Sequence, residues 1–136
     1  YNIDCPFKRG LEIVESLKRQ TNLIIVDMHA EATAEKGALA WYLDGKVSAV
    51  IGTHTHVQTA DERILPRGTA FITDAGMTGP VDSVIGLDVQ IAVKRFLSGI
   101  PEHYQAATSN IRFNGVVVEV DVQSGRASSI QRINLP

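Results

Sequence analysis

Three of the four histidines in this 136-residue sequence fall in two short stretches. His29 sits in Asp27-Met28-His29-Ala30-Glu31, and His54 and His56 sit in Gly52-Thr53-His54-Thr55-His56-Val57. Imidazole is the commonest neutral ligand for divalent transition ions. In an extended backbone, residues i and i+2 point to one side, so this spacing lets His54 and His56 present two rings to one ion. His29 by itself reads more readily as a hydrogen-bonded structural histidine than as a ligand, and His103, beside Tyr104 in a polar stretch, reads as structural. Asp27 and Glu31 are candidates to accept the second N–H of a ligating ring and fix its tautomer. Either carboxylate also reads as an ordinary strand-end or loop charge. Asp61 and Glu62, followed by Arg63, read as a solvated loop with local ion pairs.

A third stretch, Thr73-Asp74-Ala75-Gly76-Met77-Thr78-Gly79-Pro80, carries two glycines and a proline. They fix an irregular backbone that a ligand can approach closely, so Asp74 and Gly76 are candidates for an outer-shell or substrate-loop role. No Gly-Lys-Ser/Thr follows, which excludes a Walker loop.

The elements that must position these residues follow from periodicity. Residues 6–20 place Leu11, Ile13, Val14 and Leu17 on one side at a period near 3.6, an amphipathic helix with Pro6 in its first turn. Residues 23–26 form a continuous apolar run that predicts a buried strand. Residues 34–43 read as a helix stopped by Gly45, and 47–51 as a second strand. Loops 27–32 and 52–60 then lie at the strand ends. Residues 70–73 predict a further strand, and 88–98 a helix with Asp88 as N-cap and Gly99 as its stop. Alternation over 116–122 and 128–135, around the turn Gln123-Ser124-Gly125, predicts a C-terminal antiparallel hairpin. The whole is an α/β layered sheet whose strand ends converge on one edge.

Composition sets the outer limits. With 44% apolar and 21% charged residues the chain suits one domain that buries a core without staples. Its single Cys5 has no internal partner, which points to a reducing compartment. No apolar run approaches the roughly 20 residues needed to span a bilayer, and the opening residues lack a basic-then-apolar leader. A soluble cytoplasmic protein is expected, with no membrane partner. The balance of 13 basic against 15 acidic residues, with no basic run, argues against a nucleic-acid scaffold. The chain opens on Tyr1 and not Met, as a piece of a longer product would.

Three runs carry a family resemblance. Val26-Asp27-Met28-His29-Ala30-Glu31-Ala32-Thr33-Ala34-Glu35-Lys36, Gly52-Thr53-His54-Thr55-His56-Val57-Gln58-Thr59-Ala60-Asp61 and Ile72-Thr73-Asp74-Ala75-Gly76-Met77-Thr78-Gly79-Pro80 resemble the bacterial YmdB-type branch of the calcineurin-like metallophosphoesterases. The likeness extends over nearly the whole chain, and Gly-Thr-His-Thr-His corresponds to the Gly-His-x-His element of the wider superfamily. The resemblance implies an α/β/β/α sandwich and a phosphodiesterase acting on nucleotide-type phosphodiesters, 2',3'-cyclic nucleotides among them. It also implies two divalent metal ions, iron or manganese, with zinc admitted by the same ligand chemistry. Carried over, His29 and His54 match ligands of one metal, and His56 matches a ligand of the other.

The family site further requires an Asp from a first strand, a bridging acidic residue, and an Asn-His pair whose His assists the leaving group. No residue of this chain matches them. Residues 1–136 are therefore expected to be the C-terminal part of a single metallophosphoesterase domain, with the catalytic acid upstream of Tyr1. The chain alone is expected to be inactive and to expose apolar strand edges that favour homo-oligomers. A one-metal amidohydrolase also uses a His-x-His pair, but it needs a barrel of about 250 residues. The competing class is a regulatory or partner-binding module with a structural or vestigial metal site.

Overall fold

Pro6, whose ring sets a helical φ and whose missing N–H costs nothing in a first turn, opens helix α1 (Pro6–Leu17). In the computed structural model, which describes residues 3–136, α1 ends at Leu17, ahead of the expected residue 20. The exposed Lys18-Arg19-Gln20 form a turn closed by a Gln20 N–H bond to the Leu17 carbonyl. Strand β1 (Ile25–His29), helix α2 (Thr33–Leu43) and strand β2 (Ala49–Thr53) follow. Then come β3 (Arg63–Ile64), β4 (Ala70–Ile72), β5 (Gly79–Pro80), α3 (Val89–Ser98), β6 (Ile111–Val120) and β7 (Ala127–Leu135).

Strands β1, β2 and β4 are parallel neighbours, and β3 adds antiparallel to β4, giving the order β1-β2-β4-β3. The expected C-terminal hairpin is β6–β7, and β5 extends it into a three-stranded antiparallel sheet. The fold is thus mixed α/β. Successive strand residues face opposite sides, and the two sides have different partners. Val26, Met28, Val50 and Phe71 pack with Val14, Leu39, Ala40 and Leu43 of the two helices. Ala49, Ile51 and Ala70 on the other side pack with Val118, Val120, Ala127 and Ile130 of the hairpin. Ala49, Ala70 and Ala127 are small and almost fully buried, which lets the hairpin close on the sheet.

The expected buried strand 23–26 is displaced and only half-covered. β1 starts at Ile25 and alternates in exposure because it is the edge of its sheet, and the hairpin does not reach it: Ile25 is 68% exposed. Asp27 and His29 therefore belong to the strand, not to a loop beginning at residue 27. β6 begins at Ile111, ahead of residue 116, because its first residues pair with the two-residue β5. Asp88 caps α3 by accepting from the Ile91 N–H (3.0 Å), and Gly99 ends it at φ 68°, both as expected. Among the described residues no helix is long and apolar enough to cross a membrane.

Candidate metal centre

Parallel pairing of β1 with β2 runs in register from Ile25↔Ala49 to His29↔Thr53. It puts Asp27, His29 and Thr53 on one face at the carboxyl ends of the strands. The Thr53 hydroxyl donates to Asp27 Oδ1 (2.7 Å) and lies 3.0 Å from His29 Nδ1. An ionised carboxylate only accepts, so the single hydroxyl hydrogen goes to Asp27, and His29 Nδ1 must be the donor to Thr53. Nε2 of the neutral His29 ring then carries a lone pair. On the other side, His54 Nε2 lies 2.9 Å from Glu31 Oε2. It must donate there, which leaves the lone pair of a neutral His54 on Nδ1.

Those two nitrogens face each other. His54 Nδ1 and His29 Nε2 are 3.1 Å apart, with the rings edge-on at a centroid distance of 4.8 Å. Two lone pairs at that separation repel unless a positive charge lies between them, either one shared proton or a cation ligated by both.

The third ring is held differently. His54 and His56 have φ of 114° and 66°, so the segment after β2 is a tight turn and not an extended strand. The i, i+2 geometry expected of the pair therefore fails, and the two rings part company. His56 Nδ1 donates to the Ile85 carbonyl (3.0 Å), which leaves Nε2 as its lone-pair nitrogen. Ile85 itself sits at φ 49°, a strained conformation for a β-branched residue. Among the described residues no group of three or more His, Cys, Asp or Glu side chains converges as a metal site. The histidines present one pair, with His56 separate from it. His103 is exposed and lies outside both arrangements.

Asp74 lies under the turn and does not face a ligand from the surface. It is 1% exposed and its Oδ2 accepts from the Lys36 ammonium (3.0 Å) and the Thr55 N–H (2.9 Å), while Oδ1 accepts from the Gly76 N–H (2.9 Å). Burial pushes its carboxyl pKa up, but the Thr55 and Gly76 amides and the Lys36 ammonium outweigh burial and hold it below the usual range. Asp74 thus fixes Thr55 between the two histidines. Gly76 has φ 83°, and a Cβ there would meet Gln58 Cβ at 2.8 Å, so only glycine fits.

Asp61 is not part of an ion pair with Arg63, as the loop composition suggested. It accepts from both hydroxyl groups of Thr59 and Thr73 and from the Thr73 N–H, while Arg63 lies over the Trp41 ring. Burial raises its pKa, and these hydrogen bonds more than offset it, so the net direction is down. Four positioning residues escaped the sequence reading: Thr53, Lys36, Gln58 and Ile85. Gln58 Nε2 reaches the carbonyls of Ala75, Gly115 and Ile133, tying the turn to β6 and β7. Lys36 carried a legible signal, a lysine among the Ala and Leu of α2.

The YmdB-like protein family matches residues 1–133. This chain belongs to that family. Two relatives of this YmdB-like chain share its sequence closely. It is 50% identical over 131 residues to the 2',3'-cyclic-nucleotide 2'-phosphodiesterase of Bacillus subtilis, covering 96% of this chain and 50% of that protein. It is 44% identical over 131 residues to a putative phosphatase/phosphodiesterase of Mycoplasma pneumoniae, covering 96% of this chain and 46% of that protein. The YmdB-like chain spans about half the length of the curated relatives it matches. Among solved structures, a hypothetical protein from Thermus thermophilus superposes with a TM-score of 0.89 at 42% identity, over 98% of this chain and 52% of the other. A novel phosphatase from Mycoplasma pneumoniae superposes at 0.88 with 44% identity, over 96% and 46%.

Proposed function

We propose that this chain supplies part of the site of a metal-dependent phosphodiesterase acting on nucleotide phosphodiesters, 2',3'-cyclic nucleotides among them. The single observation that carries the reading is the facing pair of lone-pair nitrogens, His29 Nε2 and His54 Nδ1, at 3.1 Å. Ligating histidines almost always donate their other N–H to a carboxylate, a carbonyl or water. All three candidates here do so, His54 to Glu31, His56 to the Ile85 carbonyl and His29 through Thr53 to Asp27. The donor set therefore fits a divalent transition ion at His29 and His54, iron, manganese or zinc, with His56 directed to a second one.

When bound, such ions polarise a phosphoryl group and neutralise its charge. The chain's own contribution is to hold three imidazoles in fixed tautomers on a rigid turn. Thr53, Glu31 and the Ile85 carbonyl orient the rings, and Asp74 with Lys36 fixes the backbone between them. In this reading the two-sheet core is part of a calcineurin-like α/β/β/α sandwich, working in a reducing cytoplasm.

The bridging carboxylate and the acid that assists the leaving group are not among these residues, so the chain alone does not turn over substrate. The test is a chimera in which this chain replaces the matching half of the Bacillus subtilis relative. With manganese the chimera is expected to hydrolyse a 2',3'-cyclic nucleotide, and the same chimera carrying His54→Ala is expected to be inactive. A His54→Ala chimera as active as its parent would contradict the reading.

A further inference from the structure

A cleft of about 470 Å³ opens beside His56, between the histidine turn, the 77–85 segment and the β6–β7 sheet. That volume lies in the range of small-molecule sites, about 300–1,000 Å³. Val57, Met77, Val81 and Ile85 give it apolar wall, and among its polar side chains the Gln58 amide N–H groups and the Ser83 hydroxyl already donate to backbone carbonyls. Asn114 and Asn134 line it too, but their amides are committed to each other, to the Met77 carbonyl and to Arg112. Arg132 is different. Its Nε donates to Glu62 Oε1 (2.8 Å), an ion pair that fixes the direction of the guanidinium. The two terminal NH₂ groups take part in none of the hydrogen bonds formed among the described residues.

From this arrangement we infer that the cleft is a nucleobase subsite, with Arg132 as the donor fork that reads the base edge. The inference rests on the phosphodiesterase reading, because it is the nucleotide that connects His56 at the mouth to the cleft behind it. A fixed guanidinium with two free donors matches a pair of adjacent acceptors on one plane, the geometry of guanine O6 and N7. Met77, half-buried in the wall, offers a polarisable surface to the face of such a ring. The ligand class is therefore a purine nucleotide with a keto edge, its base in the cleft and its phosphate toward His56. Arg132 acts in specificity, not in bond breaking.

The test is an NMR titration of the isotope-labelled chain with guanosine, guanosine 3'-monophosphate, adenosine 3'-monophosphate and inorganic phosphate, each followed by Zn²⁺. Guanosine and its monophosphate are expected to shift the amides of Met77, Ile85 and Arg132, the adenosine compound to bind at least about tenfold more weakly, and phosphate to leave Met77 and Arg132 unperturbed. Both Arg132→Met and Arg132→Lys should weaken guanosine binding about tenfold, because the lysine keeps the charge and loses the fork. Shifts at Met77 and Arg132 with phosphate alone, equal affinity for the two purines, or full affinity in Arg132→Lys would each overturn the assignment. The Zn²⁺ arm separates the two readings. Guanosine in the cleft without a Zn²⁺ response at His29 and His54 overturns the metal site and leaves the subsite standing, and the reverse result overturns the subsite alone.

Discussion

His29 Nε2 and His54 Nδ1 lie 3.1 Å apart, each with its partner nitrogen already donating, so neither has a hydrogen left to give the other. The pair comes from different strands, and parallel pairing of β1 with β2 brings their ends together. A neutral pair in this arrangement sets two lone pairs face to face, and in the reading proposed above a divalent ion ligated by both relieves that repulsion.

Glu31 accepts the outer N–H of His54. Glu31→Gln keeps the shape and removes the charge that makes the ring a better ligand, so Zn²⁺ affinity should fall about 10- to 100-fold. Isothermal titration of the two proteins measures it, and equal affinities would remove Glu31 from the site.

The Lys36–Asp74 pair is almost fully buried. Asp74→Asn strands the ammonium and should cost about 3–5 kcal/mol in urea unfolding. The double change Lys36→Met with Asp74→Asn should recover part of that loss, since no unpaired charge remains buried. A double variant less stable than Asp74→Asn alone would contradict the account.

Acid should destabilise the fold in a defined window. Asp61 and Asp74 have lowered pKa values in the folded chain. A carboxylate depressed on folding stabilises above its unfolded value, about 3.9, and that contribution disappears as pH falls through the folded value. Stability measured by denaturant should therefore drop below about pH 4, and the drop should be shallower in Asp61→Asn.

Glycine positions separate close approach from mere turn composition. A Cβ at Gly52 would lie 1.7 Å from the Thr73 carbonyl oxygen and 2.9 Å from Lys36 Cδ. Gly52→Ala should cost more than about 3 kcal/mol, because backbone and not a flexible side chain must move. Gly10, inside α1, has open space around it, so Gly10→Ala should stabilise by about 0.5–1 kcal/mol. Thermal melts of the two variants should move in opposite directions.

Helices and the C-terminal hairpin were legible because their periods are local: Leu11, Val14 and Leu17 mark α1, and Glu119 and Asp121 alternate with valines in the hairpin. The strand bearing His29 was misread, since an apolar run does not reveal whether a strand lies at the middle or the edge of its sheet. The candidate ligands were visible by residue type. Their partition was not legible from spacing, because the i, i+2 rule assumes an extended chain and both His54 and His56 have positive φ. Thr53, Gln58 and Ile85 stayed hidden for a related reason: each acts through a partner distant in sequence or through its own carbonyl.

The most direct measurement is the ¹⁵N imidazole spectrum of the labelled chain during Zn²⁺ titration. The account predicts that His29 Nε2 and His54 Nδ1 shift together as one ion binds, while His29 Nδ1 and His54 Nε2 stay protonated and His103 is unaffected. Shifts at His103 with none at His29 or His54, or an equal Zn²⁺ response in the chain carrying His29→Ala and His54→Ala, would contradict it.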